Sequence, residues 1–135
     1  MAINLKGGLK RGQLWEVDFE PQVHKEEPAA PDTLRGRPAL IIQTNILNDA
    51  GYATTIVIPS TTQIYRDALG DGYPLRVSLG KLPKQTAETD PETDLLIDQI
   101  RTISNRRLMG DKPLAELSRT HMKRVEEALK ILTGA

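Results

Sequence analysis

The chain has no cysteine, which excludes a disulfide framework and any thiolate metal site. It has only two histidines, His24 and His121, far apart in sequence. There is no HExxH pair, no phosphate-binding Walker loop and no GxSxG elbow. Aspartates and glutamates are scattered without metal-ligand spacing, so neither a metal nor a cofactor is expected. No apolar run approaches the roughly 18 residues that a membrane span requires. The N-terminal MAINLKGGLKRG lacks the apolar stretch of roughly 7–15 residues of a secretory signal. A cytoplasmic location is the simplest reading. Charge of one sign is also missing, because 18 Lys and Arg balance 18 Asp and Glu. The whole-chain basic excess that marks many nucleic-acid binders is therefore absent. Any anionic partner would have to meet a local concentration of positive charge.

What is present fits one domain. The 135 residues suffice for one core and are too few for two. No repeat of 20–50 residues appears. Residues 1–10 read as a loose basic tail, and residues 11–135 as a single domain. In residues 13–19, Trp15, Val17 and Phe19 alternate with Glu16 and Asp18, which predicts a half-buried strand. Residues 20–36 hold three prolines without periodicity and predict a long loop, a place where function often resides. Residues 38–43 predict a buried strand, 44–51 an Asn/Asp-rich turn, and the β-branched run 54–58 the surest strand. Residues 75–79 alternate again. Residues 64–74 and 80–93 read as loops, and Asp98-Gln99 separates two short strand pieces at 95–97 and 101–104. Residues 105–108 suit one helical turn.

The C-terminus carries the signals of a helix. Ser118 can cap it, and Leu117 with Met122 forms a hydrophobic staple. Met122, Val125, Leu129 and Leu132 line one face, and Gly134 stops it. Five or more antiparallel strands followed by a helix predict a mainly β fold with some α, a small barrel backed by a helix. Barrel closure would remove exposed sheet edges.

Three segments can carry chemistry. Arg37, in Gly36-Arg37-Pro38, sits where loop becomes strand, and Pro38 holds its backbone extended. Its guanidinium can point into a cleft at the barrel mouth or form a surface ion pair. Ile58-Pro59-Ser60-Thr61-Thr62-Gln63 gathers three hydroxyls and an amide at a strand end. These groups can bind phosphate oxygens or cap a turn. Asp98, Gln99 and Arg101 interrupt an apolar stretch, where they line a site or form a buried network. His24 lies in the proline-rich loop. His121 reads as an ordinary residue of the terminal helix.

Taken in order, these segments resemble the MazF/PemK/Kid toxin endoribonucleases. The likeness runs through Arg11-Gly12-Gln13-Leu14-Trp15-Glu16-Val17-Asp18 and Gly36-Arg37-Pro38-Ala39-Leu40-Ile41-Ile42-Gln43. It continues through Ile58 to Gln63 and Tyr73-Pro74-Leu75, and closes on Asp98-Gln99-Ile100-Arg101-Thr102-Ile103 and Arg107-Leu108. No single piece is specific, but their order is. The resemblance implies an SH3-like antiparallel β-barrel with a C-terminal helix, a homodimer, and single-stranded RNA (mRNA) bound in grooves at the dimer interface. It also implies a cognate antitoxin protein whose extended tail fills those grooves.

By the same resemblance the catalytic arginine falls on Arg37 and the catalytic hydroxyl on Thr61. A loop acid, a possible general base, falls on Glu26. RNA contacts fall on Asp98 and Gln99, with Thr62, Gln63, Arg35, Arg66 and His24 as further candidates. Kid-like members carry an arginine where this chain has Leu96, so this chain resembles the branch that relies on the arginine of the RP motif. The loop 20–36 is longer than typical.

Metal-free cleavage by the ribose 2′-OH needs a proton acceptor, a charge stabiliser and a leaving-group acid. Arg37 fits charge stabilisation by its two-pronged donation and is a poor base. Thr61 can donate to the same phosphate. The acceptor stays open between Glu26 and a water held by Asp98. A gyrase-poisoning toxin of the CcdB type, with the same fold and no RNA cleavage, is the alternative.

Overall fold

The computed structural model describes residues 8–19, 36–63, 75–83, 87 and 90–134. Among them, eight strands form one antiparallel sheet: β1 (Gln13–Asp18), β2 (Gly36–Ile41), β3 (Thr54–Thr61), β4 (Arg76–Gly80), β5 (Thr93–Leu96), β6 (Arg101–Ser104), β7 (Leu108–Met109) and β8 (Ala115–Glu116). Two helices accompany them, α1 (Asn45–Asp49) and α2 (Arg119–Thr133). The strand order is β4-β5-β3-β2-β1-β7, with β6 on β3 and β8 on β1. The expected strand-rich fold with a terminal helix is thus a curled antiparallel sheet, a half-barrel with α2 packed on it.

Alternation decides which side chains meet. Trp15, Val17, Ala39, Ile41, Val57 and Ile103 bury one cluster on one face of the sheet. Leu14, Leu40, Ile58, Val77 and Leu95 bury a second cluster on the other face, joined there by Val125 and Ala128 of α2. Trp15 is wholly buried, and its indole N–H donates to Gln13 Oε1 at 2.9 Å, so burial leaves no orphan donor.

The terminal helix forms as its sequence signals. Ser118 Oγ accepts from the His121 N–H at 3.1 Å. Leu117 and Met122 pack on the second cluster together with Leu129 and Leu132. Gly134 closes the helix in the left-handed region at φ 76°, where a side chain would be strained. His121 sits half-buried in the first turn, as an ordinary helix residue.

Three elements differ from the sequence reading. Residues 45–49 are a short helix and not only a turn. Thr44 caps it through Ile46 N–H, and the buried Asn48 side chain exchanges bonds with Gln43. The two-residue strands β7 and β8 were not expected, because two residues carry no period. β5 begins at Thr93 and not at Leu95, so Asp94 belongs to a strand.

Candidate functional site

Strand register assembles the site. β2 pairs with β3 through Ala39–Pro59, Leu40–Ile58 and Ile41–Val57. Continued by two residues, that register sets Pro38 against Ser60 and Arg37 against Thr61. All four residues lie within their strands. The Ser60 hydroxyl donates to the Pro38 carbonyl at 2.6 Å, which agrees with the continued register. Proline has no N–H to donate, so at this step it takes part through its carbonyl, as acceptor.

The row extends in both directions. Val17 of β1 stands opposite Arg37. Asp94 of β5 stands opposite Thr61, and Ser78 of β4 opposite Asp94. Because neighbours opposite one another share a face, Val17, Arg37, Thr61, Asp94 and Ser78 cross five strands on the side of the first cluster. Cβ atoms of such opposed pairs lie about 4.5–5.5 Å apart. A phosphate can therefore be reached by the Arg37 fork and the Thr61 hydroxyl together.

Burial grades along the row. Arg37 is half-buried. Thr61 is 8% exposed and Asp94 is 0% exposed. Thr61 Oγ1 accepts from the Gln63 N–H at 3.0 Å, which fixes the turn leaving β3. Thr62 and Gln63 themselves are exposed. Gly36 precedes Arg37 for a steric reason: a Cβ there would run into the Glu16 side chain.

Two further arginines share the face. Arg76 stands opposite Leu96, one strand over and diagonal to Asp94, and its Nη1 donates to the Gln63 carbonyl at 3.2 Å. Arg101 stands opposite Val57, with its guanidinium 5.1 Å from the centre of the Phe19 ring. Asp98 and Gln99 form the 3-10 turn Ile97–Gln99 between β5 and β6, with Asp98 exposed and Gln99 half-buried.

Of the residues singled out from the sequence, Arg37 and Thr61 lie on adjacent strands and oppose one another when the β2–β3 register is continued. Thr62 and Gln63 follow Thr61 directly. Asp98 and Gln99 lie at the interruption that separates the two partners of β3. Glu26, His24, Arg35 and Arg66 lie outside the described residues. Arg11 serves the fold: its side chain donates to the Ile42 carbonyl and to Glu126 of α2, each at 3.2 Å.

Asp94, buried in this row, was not among the residues singled out from the sequence. Beginning the strand at Leu95 had hidden this residue. An acid flanked by Thr93 and Leu95-Leu96-Ile97 was the available signal. Among the described residues, no group of three His, Asp or Glu is arranged to hold a metal ion.

Comparison with known proteins points one way. Residues 10–133 match the family of PemK-like, MazF-like toxins of type II toxin–antitoxin systems. Endoribonuclease MazF9 of Mycobacterium tuberculosis is 26% identical over 127 residues, spanning 91% of this chain and 94% of that protein. The crystal structure of MazF from Deinococcus radiodurans superposes with a TM-score of 0.64 at 25% identity, covering 94% of this chain and 97% of its own. A mycobacterial endoribonuclease solved in complex with its cognate antitoxin has the same fold, at a TM-score of 0.62 and 20% identity over 93% of this chain and 95% of its own. These comparisons lend no support to a gyrase poison of the CcdB type.

Proposed function

The chain belongs to the family of PemK-like, MazF-like toxins of type II toxin–antitoxin systems, and on that premise we propose that it cuts single-stranded RNA at the Arg37–Thr61 pair, without a metal. It acts as the endoribonuclease toxin of such a system, independently of the ribosome and at preferred sequences. What supports the reading is the β2–β3 register, which, continued by two residues past Ala39–Pro59, sets Arg37 against Thr61 on a face with two more arginines.

The 2′-OH of the ribose attacks the adjacent phosphorus while the bond to the 5′-oxygen breaks. Charge gathers on the non-bridging oxygens. The Arg37 fork donates two parallel bonds to them, and its planar shape suits that geometry better than a point charge does. The Thr61 hydroxyl adds a third donor. Donors held in place by strands need no rearrangement as charge develops. The 2′-OH proton passes to Glu26 or to a water held by Asp98, and the leaving 5′-oxygen takes up a proton. Thr62, Gln63, Gln99, Arg35, Arg66 and His24 complete the RNA contacts.

The family likeness further supports a homodimer with RNA grooves at its interface, a cognate antitoxin that fills them, a cytoplasmic location, and a single domain at 11–135 behind a tail at 1–10. For membranes, the observation is narrower: among the described residues no helix is long and apolar enough to cross one.

The test uses purified protein, naked RNA and excess EDTA, with no ribosome and no gyrase. Cleavage leaving a 5′-OH and a 2′,3′-cyclic phosphate is expected. Cutting that stops on chelation, or that survives Arg37→Ala undiminished, sinks the mechanism.

A further inference from the structure

The turn that leaves β3 is tied down twice. The Gln63 N–H donates to Thr61 Oγ1 at 3.0 Å. Arg76 Nη1 of β4 donates to the carbonyl of the same Gln63 at 3.2 Å.

Register makes the second bond informative. Thr61 stands opposite Asp94, and Arg76 stands opposite Leu96, two residues further along β5. The β3–β5 register, continued to Leu96, sets Pro59 level with Arg76. Gln63 is four residues beyond Pro59, about 13 Å along a straight strand. A bond from Arg76 to Gln63 therefore requires the chain to turn back over the sheet after Thr61, and it bends at Thr62.

That turn governs the hydroxyl. A threonine hydroxyl has one proton to give and two lone pairs to accept with. The Gln63 N–H occupies one lone pair and leaves the proton for another acceptor, the state in which Thr61 can donate to a phosphate. The accepted bond also polarises the O–H toward donation. It favours the rotamer that keeps the hydroxyl, and not the methyl, at this place. Bonds of a hydroxyl to its own turn are weak, and water competes at the exposed Thr62 and Gln63. A charged donor from another strand strengthens the hold.

Resting on the endoribonuclease reading, we propose that Arg76 is a positioning residue. By holding Gln63 it keeps the Gln63 N–H on Thr61 Oγ1, and so keeps the Thr61 proton free for the phosphate. Arg76 retains its charge and its other N–H groups for RNA.

The test compares Arg76→Met, Arg76→Lys, Thr61→Ala and the double variant Thr61→Ala/Arg76→Met by kcat, KM and Tm on one single-stranded RNA oligonucleotide. Amide hydrogen exchange at Gln63 is read alongside. In Arg76→Met, kcat is expected to fall about 5- to 30-fold, short of the roughly 100-fold that a misplaced group can cost. KM should rise no more than about threefold, because the orienting effect belongs to the transition state. The Gln63 amide should exchange faster than in the parent. Arg76→Lys should return kcat to within about threefold of the parent, since one carbonyl needs one donor and no fork. In the Thr61→Ala background, Arg76→Met should cost no further kcat.

Parent-like kcat or parent-like Gln63 exchange in Arg76→Met overturns the proposal. So does a loss carried by KM alone, which would make Arg76 an RNA contact only, or a kcat loss that multiplies with that of Thr61→Ala. Arg76→Lys no better than Arg76→Met overturns it too, as does failure of both Arg76 variants to fold. A parent protein that does not cut RNA overturns the endoribonuclease reading, and this inference with it. A parent that cuts, with Arg37→Ala inactive and Arg76→Met undiminished, overturns this inference alone.

Discussion

At the scale of single residues, the site depends on shape as much as on charge. Arg37→Ala should lower kcat on the order of 10²–10³-fold, as loss of one preorganised donor does. Arg37→Lys should recover little of it. An ammonium is a point charge and cannot donate two parallel bonds to one phosphate. Kinetics on a short RNA substrate checks both, and full activity in the lysine variant would show that charge alone matters. Gly36 makes a different kind of contribution. Gly36→Ala forces the Glu16 side chain to move. That chain is half-buried and has a flexible end, so the expected effect on Tm is small. Adding Glu16→Ala should remove it. A large loss of Tm that persists in the double variant would place the constraint in the backbone and not in Glu16.

At the scale of elements, the terminal helix is held mainly by what it buries. Val125 is wholly buried within the second cluster. Val125→Ala removes two methyl groups and leaves a cavity, at a cost of about 2 kcal/mol. Ser118→Ala removes one cap bond, at a cost of about 1 kcal/mol. Ile131 on the same helix is 64% exposed, and Ile131→Ala should change stability by less than about 0.5 kcal/mol. Chemical denaturation of the three variants tests this ranking. If the cap outweighed Val125, helix propensity and not packing would hold α2 in place.

At the scale of the molecule, net charge is zero, so the field far from the protein attracts RNA weakly. Binding should depend on the few arginines of one face: Arg37, Arg76 and Arg101. Three phosphates neutralised on a single strand correspond to a slope of about −2 in log affinity against log salt, at about 0.7 per contact. A salt titration with a non-cleavable oligonucleotide measures it. A slope steeper than about −4 would mean that a larger basic surface takes part.

Much of this was legible in the chain. Alternation at Trp15, Val17 and Phe19 assigned one buried face. Leu117, Ser118 and Met122 marked where α2 begins, because caps and staples join residues a few positions apart. Arg37 and Thr61 were recognisable as candidates from their segments. The sequence could not make them neighbours. Their opposition depends on the register of β2 against β3, and the chain between those strands does not determine it by any local rule. Asp94 shows the same limit more sharply. As one acid at the edge of an apolar run it reads as the last residue of a loop. Only pairing with Thr61 on one side and Ser78 on the other makes it buried and central. Local pattern decides which face a residue takes, since side-chain direction follows from the backbone period. Which residue it meets there is decided by pairing across the sheet, and that exists only once the chain has folded.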